Sequence, residues 1–372
     1  MIIENRSDIY YRVKESLNSE CKYKESSKKE YFLELILNRI EKIDIFYIES
    51  WKAKNSIKLL DGNIAIIVWD INFWKYYEEY LIQVDICKSY NKNITQGVIS
   101  FMFSFLSKKY DDIYELSSFF KQINTEYSIH GQLKRESHKY INDIVFLSKI
   151  FALYHEIGHF KQMENNNEII PYKNLVLDLF DPIKDSHLSY LKEWEYLVKE
   201  TVSDIVTGKK NGKYILEEII ADLYAIVQTI KFYQEIFKEE KFQIIVNCLQ
   251  SYEYISGFQH MFSTISSAWE NHNFEIKFGL PLKQHSHDNY VNQLAISRNE
   301  IGGHIILFLL KTIYHLNEVD MTKILDDLDK CYVNQTDIIN CLANEQFICT
   351  AIQEALRVKN KVYFWTHLYK GS

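Results

Sequence analysis

Residues 136–163 read ESHKYINDIVFLSKIFALYHEIGHFKQM, a proline-free stretch in which Ile144, Phe146, Leu147, Ile150, Phe151 and Tyr154 recur at helical spacing. That period predicts one long amphipathic helix, ending in the polar, Asn-rich Glu164–Asn167. Near its C-terminal end lies His155-Glu156-Ile157-Gly158-His159. Residues four apart on a helix share a face with Cβ atoms about 5–6 Å apart, so both imidazoles can reach one ion. Glu156 is displaced around the helix, close enough to reach a water at that ion without binding the ion itself.

The pattern alone carries limited weight, because a random chain of this composition contains HExxH about 3% of the time. The preceding turns add to it: they are apolar and set Phe151 on the His155 face, which points that face inward. An unpartnered His-Glu-His set is costly there. A zinc site needs at least one more protein ligand. Extension to HExxHxxGxxH fails, since Gln162 and Asn165 stand where Gly and His are required. A second helix, expected over Tyr214–Glu239, offers Glu217-Glu218-Ile219-Ile220-Ala221-Asp222. Glu218 and Asp222 share a face, and the small Ala221 and Ala225 beside them allow close approach to the first helix. On this reading Glu218 ligates the metal and Asp222 accepts a hydrogen bond from a ligand imidazole. Glu217 is the competing ligand; Tyr224 and Gln228 on its face suggest a more solvated side.

His155-Glu156-x-x-His159 followed by Glu218-x-x-Ala221-Asp222 resembles the gluzincin clan of zinc metallopeptidases, over about residues 140–230. The resemblance implies a zincin-like core, Zn2+ as cofactor, Glu218 as third ligand, Asp222 as its partner behind the ligands, Glu156 as base, and a protein or peptide substrate. A further likeness is to the CAAX-protease type of this clan, whose downstream His-Pro segment ends in Arg-Ile. Here His287 falls in a similar place, with Asp288 for the proline and Gln293 for the arginine. By that likeness His287 stabilises the oxyanion; the alternative is that His285 and His287 are loop histidines exposed to water, the more common fate of a His in QHSHDN. The membrane-embedded character of that type is not expected, which makes soluble members of the wider clan the nearer comparison.

The surrounding chain reads as mainly α with a small β-sheet, an α+β fold. It has 372 residues, 47% of them hydrophobic and 15% aromatic, with only 3 Pro and 11 Gly. Residues 1–60 read as helical with a solvated charged run over Cys21–Glu30. The one strand expected lies near Ile64–Trp69, and at a sheet edge it could pair with an extended substrate. Helices are expected over 75–130. Residues 165–213 read as loops and short helices, a candidate cover for the cleft. The segment Phe274–Gln284 is mixed, and helices resume beyond it. The organisation expected is an N-terminal region over 1–135, a metallopeptidase core over 136–300 and a C-terminal helical region over 301–372.

The formal charge of -7 arises from 43 basic and 50 acidic residues mixed along the chain, which gives no basic footprint for nucleic acid. The six cysteines lack CxxC spacing and read as reduced thiols in the cytoplasm. No secretory signal or membrane span is expected. Two rival readings remain open: a regulatory or binding protein on a metallopeptidase scaffold, and a helical interaction protein with an accidental HExxH.

Overall fold

An apolar run without alternation, such as IAIIVWD over Ile64–Asp70, is stable as a strand when both of its faces are covered. In the computed structural model this strand is central, and Ala65 through Asp70 are all buried. The structure describes residues 6–20, 23–40, 42–50, 56–60, 64–89, 135–179, 210–236, 240–278, 302–303 and 305–328, with 101, 104, 105, 107, 108, 121, 205 and 208.

In chain order the elements are α1 (Arg6–Glu20), β1 (Tyr23–Glu25), α2 (Tyr31–Leu37), β2 (Ile43–Ser50), β3 (Ser56–Leu60), β4 (Ile64–Asp70) and α3 (Ile71–Ser89). Then follow α4 (Arg135–Met163), α5 (Ile170–Leu179), α6 (Lys210–Ile236) and α7 (Lys241–Phe278). Residues 305–314 and 318–328 are also helical. Among the described residues the architecture is mostly helical with one four-stranded sheet, order β1-β2-β4-β3. β4 runs parallel to β2, with Ile43 opposite Ala65 and Ile48 opposite Asp70, and antiparallel to β3, with Ser56 opposite Val68. β1 pairs antiparallel with β2.

Several expectations need correction. Residues 1–60 are not helical throughout: they contribute three of the four strands. Nor does Ile64–Trp69 lie at an edge, because β2 and β3 occupy both of its sides. The physical reason is in the run itself, for the lack of alternation between Ala65 and Trp69 marks a strand buried on both faces. The charged Cys21–Glu30 segment is partly β1, and the segment expected to be mixed from Phe274 is helical as far as Phe278.

The chain divides into two compact units, one of Met1–Lys75, Ile144–Tyr252 and Ser297–Leu325, the other of Tyr76–Asp143, Glu253–Ile296 and Asp326–Ser372. In the first, α1 lays Val13 and Leu17 against Phe46, Ile48, Ile66 and Val68 of the sheet. Burying each such side chain contributes about 1.5–3 kcal/mol. Trp69 stacks on Trp74 at 5.1 Å, and the Lys149 ammonium of α4 sits 5.8 Å from the Trp74 ring centroid. Lys149 also pairs with Glu30 at 2.8 Å, while Phe146 of α4 meets Phe32 of α2 at 5.0 Å. These contacts seat the N-terminal half of α2 against α4. In the second unit the described core is aromatic: Tyr77, Tyr80 and Phe101 surround Phe258 at 5.3, 5.4 and 5.9 Å.

Candidate metal centre

α4 stops where the Asn-rich turn begins. Asn165 has φ 50°, the left-handed conformation that asparagine tolerates, while Asn165 N–H donates to Gln162 O at 3.1 Å and Asn166 N–H to Lys161 O at 3.0 Å. That pair of bonds is a Schellman cap, and it satisfies carbonyls the helix end would leave open. α5 follows within a few residues, with Pro171 in its first turn, where a missing N–H costs nothing. Its Tyr172 then packs on Tyr224 of α6 at 5.5 Å and accepts a hydrogen bond from Gln228 at 3.2 Å. Tyr224 is therefore buried, and the face of α6 that carries Glu217 is only partly solvated.

The crossing of α4 and α6 is set by two small residues. A Cβ placed on Gly158 would lie 3.2 Å from Ala221 Cα and 3.3 Å from Tyr224 Cδ1, tighter than ordinary contact. Glycine inside a helix costs roughly 0.5–1 kcal/mol relative to alanine, so its presence here serves the close approach. Gln162 fastens the crossing by donating to Glu217 O at 2.8 Å. Burial pushes the phenol of Tyr154, which packs on Tyr224 at 6.4 Å, up to about 12. It stays protonated across the physiological range.

At this crossing His155, His159 and Glu218 come together. The two Nε2 atoms are 3.0 Å apart; His155 Nε2 is 3.5 Å from Glu218 Oε2 and His159 Nε2 is 3.3 Å from Glu218 Oε1. Ligands bound tetrahedrally at about 2.0–2.1 Å are separated by about 3.3 Å, so these spacings suit one small divalent ion. Two imidazoles and a carboxylate are also a donor set that zinc accepts. Side-chain exposure is 9% for Glu218, 11% for His155 and 21% for His159, which places the carboxylate beneath and leaves the cluster reachable from the His159 side.

Behind the donors lies Asp222, whose side chain is fully buried with Oδ1 2.7 Å from His155 Nδ1. The separation is that of a charge-assisted hydrogen bond, yet the ring is turned so that Nδ1 makes no well-angled bond. A modest rotation of the imidazole would satisfy this buried ring nitrogen with the buried carboxylate beside it, as partners of a ligand imidazole do where an ion is held through Nε2. Glu156 is partly buried on the same turn of α4.

The structure thus brings His155, His159, Glu218 and Asp222 to one place. Glu217, the competing residue, is half exposed and points to Lys213 at 3.8 Å. His287 and His285 lie outside the described residues. Sequence reasoning missed three residues that shape the site. Gly158 was legible as a lone glycine within a helical pattern, which signals close packing. Tyr252 of α7, whose hydroxyl donates to Asp222 Oδ2 at 3.5 Å, and Gly302, where a Cβ would lie 3.1 Å from that hydroxyl, carry no local signal. Among the described residues no helix is long and apolar enough to cross a membrane. Compared with protein-family models, curated proteins and solved structures, the chain has no match.

Proposed function

We propose that this chain is a zinc-dependent metallopeptidase of gluzincin type, in which His155, His159 and Glu218 hold the ion and Glu156 is the general base. The observation that carries the reading is the convergence of three donor atoms from two helices, beside a glutamate on the adjacent position of α4. The ExxAD-like order of Glu218 and Asp222 supports it from the sequence side. Zn2+ held there would polarise a scissile carbonyl and lower the pKa of water toward about 7.

The chain's own residues do the rest. Glu156 takes a proton from the attacking water as its oxygen bonds to the carbonyl carbon, and returns that proton to the amide nitrogen as the C–N bond breaks. Asp222 fixes the Nδ1–H tautomer of His155, which leaves Nε2 unprotonated as a donor. His287, by its likeness to the CAAX-protease type, is the proposed donor to the oxyanion. The substrate class is a protein or peptide.

Glu156→Gln tests this directly, since it keeps the volume of the side chain and removes the base. Hydrolysis of a peptide library, followed by mass spectrometry, should fall by about 10²–10⁴-fold. Zinc content and melting temperature should stay near those of the unsubstituted chain. Undiminished cleavage by the variant would refute the assignment of the base.

A further inference from the structure

We propose that Tyr252 is a positioning residue for the metal centre, its hydroxyl holding Asp222 and, through Asp222, the orientation and tautomer of His155. The proposal rests on the reading of His155, His159 and Glu218 as a zinc site.

Three observations converge on Tyr252. It is buried, and its hydroxyl donates to Asp222 Oδ2 at 3.5 Å, while Oδ1 of the same carboxylate faces His155 Nδ1 at 2.7 Å. Its ring meets Phe151 edge-on at 5.4 Å, and Phe151 lies one helical turn before His155 with ring centroids 6.0 Å apart. One turn of α7 is therefore held to α4 beside the donor helix face, and Ser148 adds a hydrogen bond to Ser251 O at 3.3 Å. Finally, Gly302 makes room for the hydroxyl: a Cβ there would come within 3.1 Å of Tyr252 Oη.

A carboxylate with no exposed surface needs donors to remain charged, and a hydroxyl that binds one oxygen also fixes the plane in which the other is presented. His155 is the ring on which that plane acts. With Asp222 free to turn, His155 Nδ1 would lose the carboxylate oxygen held 2.7 Å from it, and with it the acceptor that can steer Nε2 toward the other two donors. Tyr252 is not one of the three residues whose donor atoms converge, so it would act on the metal only through Asp222 and His155.

The test uses the full chain, stripped of metal and titrated with Zn2+ against a chromophoric chelator. Groups that directly support a ligand change metal affinity by about 10–100-fold. Acting one step further out, Tyr252→Phe should weaken Zn2+ binding by about 3–10-fold. The phenylalanine keeps the packing on Phe151, so the melting temperature of the metal-free chain should change little. Gly302→Ala should weaken binding in the same direction by crowding the hydroxyl. In a chain already carrying Asp222→Ala, Tyr252→Phe should cause no further loss, because the link is gone. Unchanged affinity in Tyr252→Phe, or an equal loss with and without Asp222, would overturn the proposal while leaving the zinc site intact. Failure of the unsubstituted chain to bind Zn2+ would remove the site itself, and this inference with it.

Discussion

Asp70 and Asp222 are both carboxylates with no exposed surface, one at the end of the sheet and one at the crossing of α4 and α6. Their partners differ in kind. Asp70 accepts from Ser50 N at 3.1 Å, from Asn72 N at 2.9 Å and from the Ser50 hydroxyl, tying the last residue of β2 to the start of α3. Asn72 closes the ring by donating to Ser50 O at 3.1 Å. These partners are backbone amides and a neighbouring hydroxyl, as in a helix cap joined to a strand end. Asp222 instead faces an imidazole whose far nitrogen converges with two other donors. Burial of a carboxylate therefore does not mark a functional site; the chemistry of what it faces does.

The comparison is most sharply tested by removing each acid. Asp70→Ala leaves several buried donors unmatched and should cost about 3 kcal/mol or more of stability in urea unfolding. Zinc affinity of the folded chain should be unchanged. Asp222→Ala should cost less stability and weaken Zn2+ binding by about 10–100-fold. Equal losses of zinc affinity in the two variants would erase the distinction.

A smaller effect is expected at the crossing itself. Gly158→Ala gains about 0.5–1 kcal/mol in helix propensity but sets a methyl 3.2 Å from Ala221 Cα, so α4 and α6 must part by a few tenths of an ångström. Melting temperature should move little while Zn2+ affinity drops several-fold. Affinity equal to that of the unsubstituted chain would show that the donors do not depend on this contact.

Glu253 offers a third acid and the smallest effect. Desolvation pushes its carboxyl up to about 7, above the ordinary 4.5, although the side chain is only partly buried. The folded chain then holds this proton more tightly than the unfolded one, so stability falls as pH rises from about 4.5 through about 7. Glu253→Gln removes that loss. Its advantage in melting temperature should be larger at pH 8 than at pH 5, and the same difference at both pH values would contradict the shift.

The two helices of the site were legible because their signals are local and repeated. The predicted helices over 136–163 and 214–239 match α4 (Arg135–Met163) and α6 (Lys210–Ile236), and Glu218 with Asp222 could be placed on one face by spacing alone. The sheet was harder to read. Ile64–Trp69 was read as a strand, but its neighbour Ile43–Ser50 was not: the two meet through a parallel pairing across a gap in sequence, which no local period announces. β3 is five residues long, too short for any period to show. Tyr252 and Gly302 were invisible for another reason: their meaning lies in contacts to Asp222 and to one another across wide gaps in sequence, which no spacing rule encodes.

Metal analysis of the chain purified without an affinity tag decides whether the crossing of α4 and α6 holds an ion. About one zinc per chain is expected, falling to near zero in both His155→Ala and His159→Ala, with a lower melting temperature in each because metal binding to the folded form adds to its stability. No zinc in the unsubstituted chain, or the same content in all three, would contradict the account.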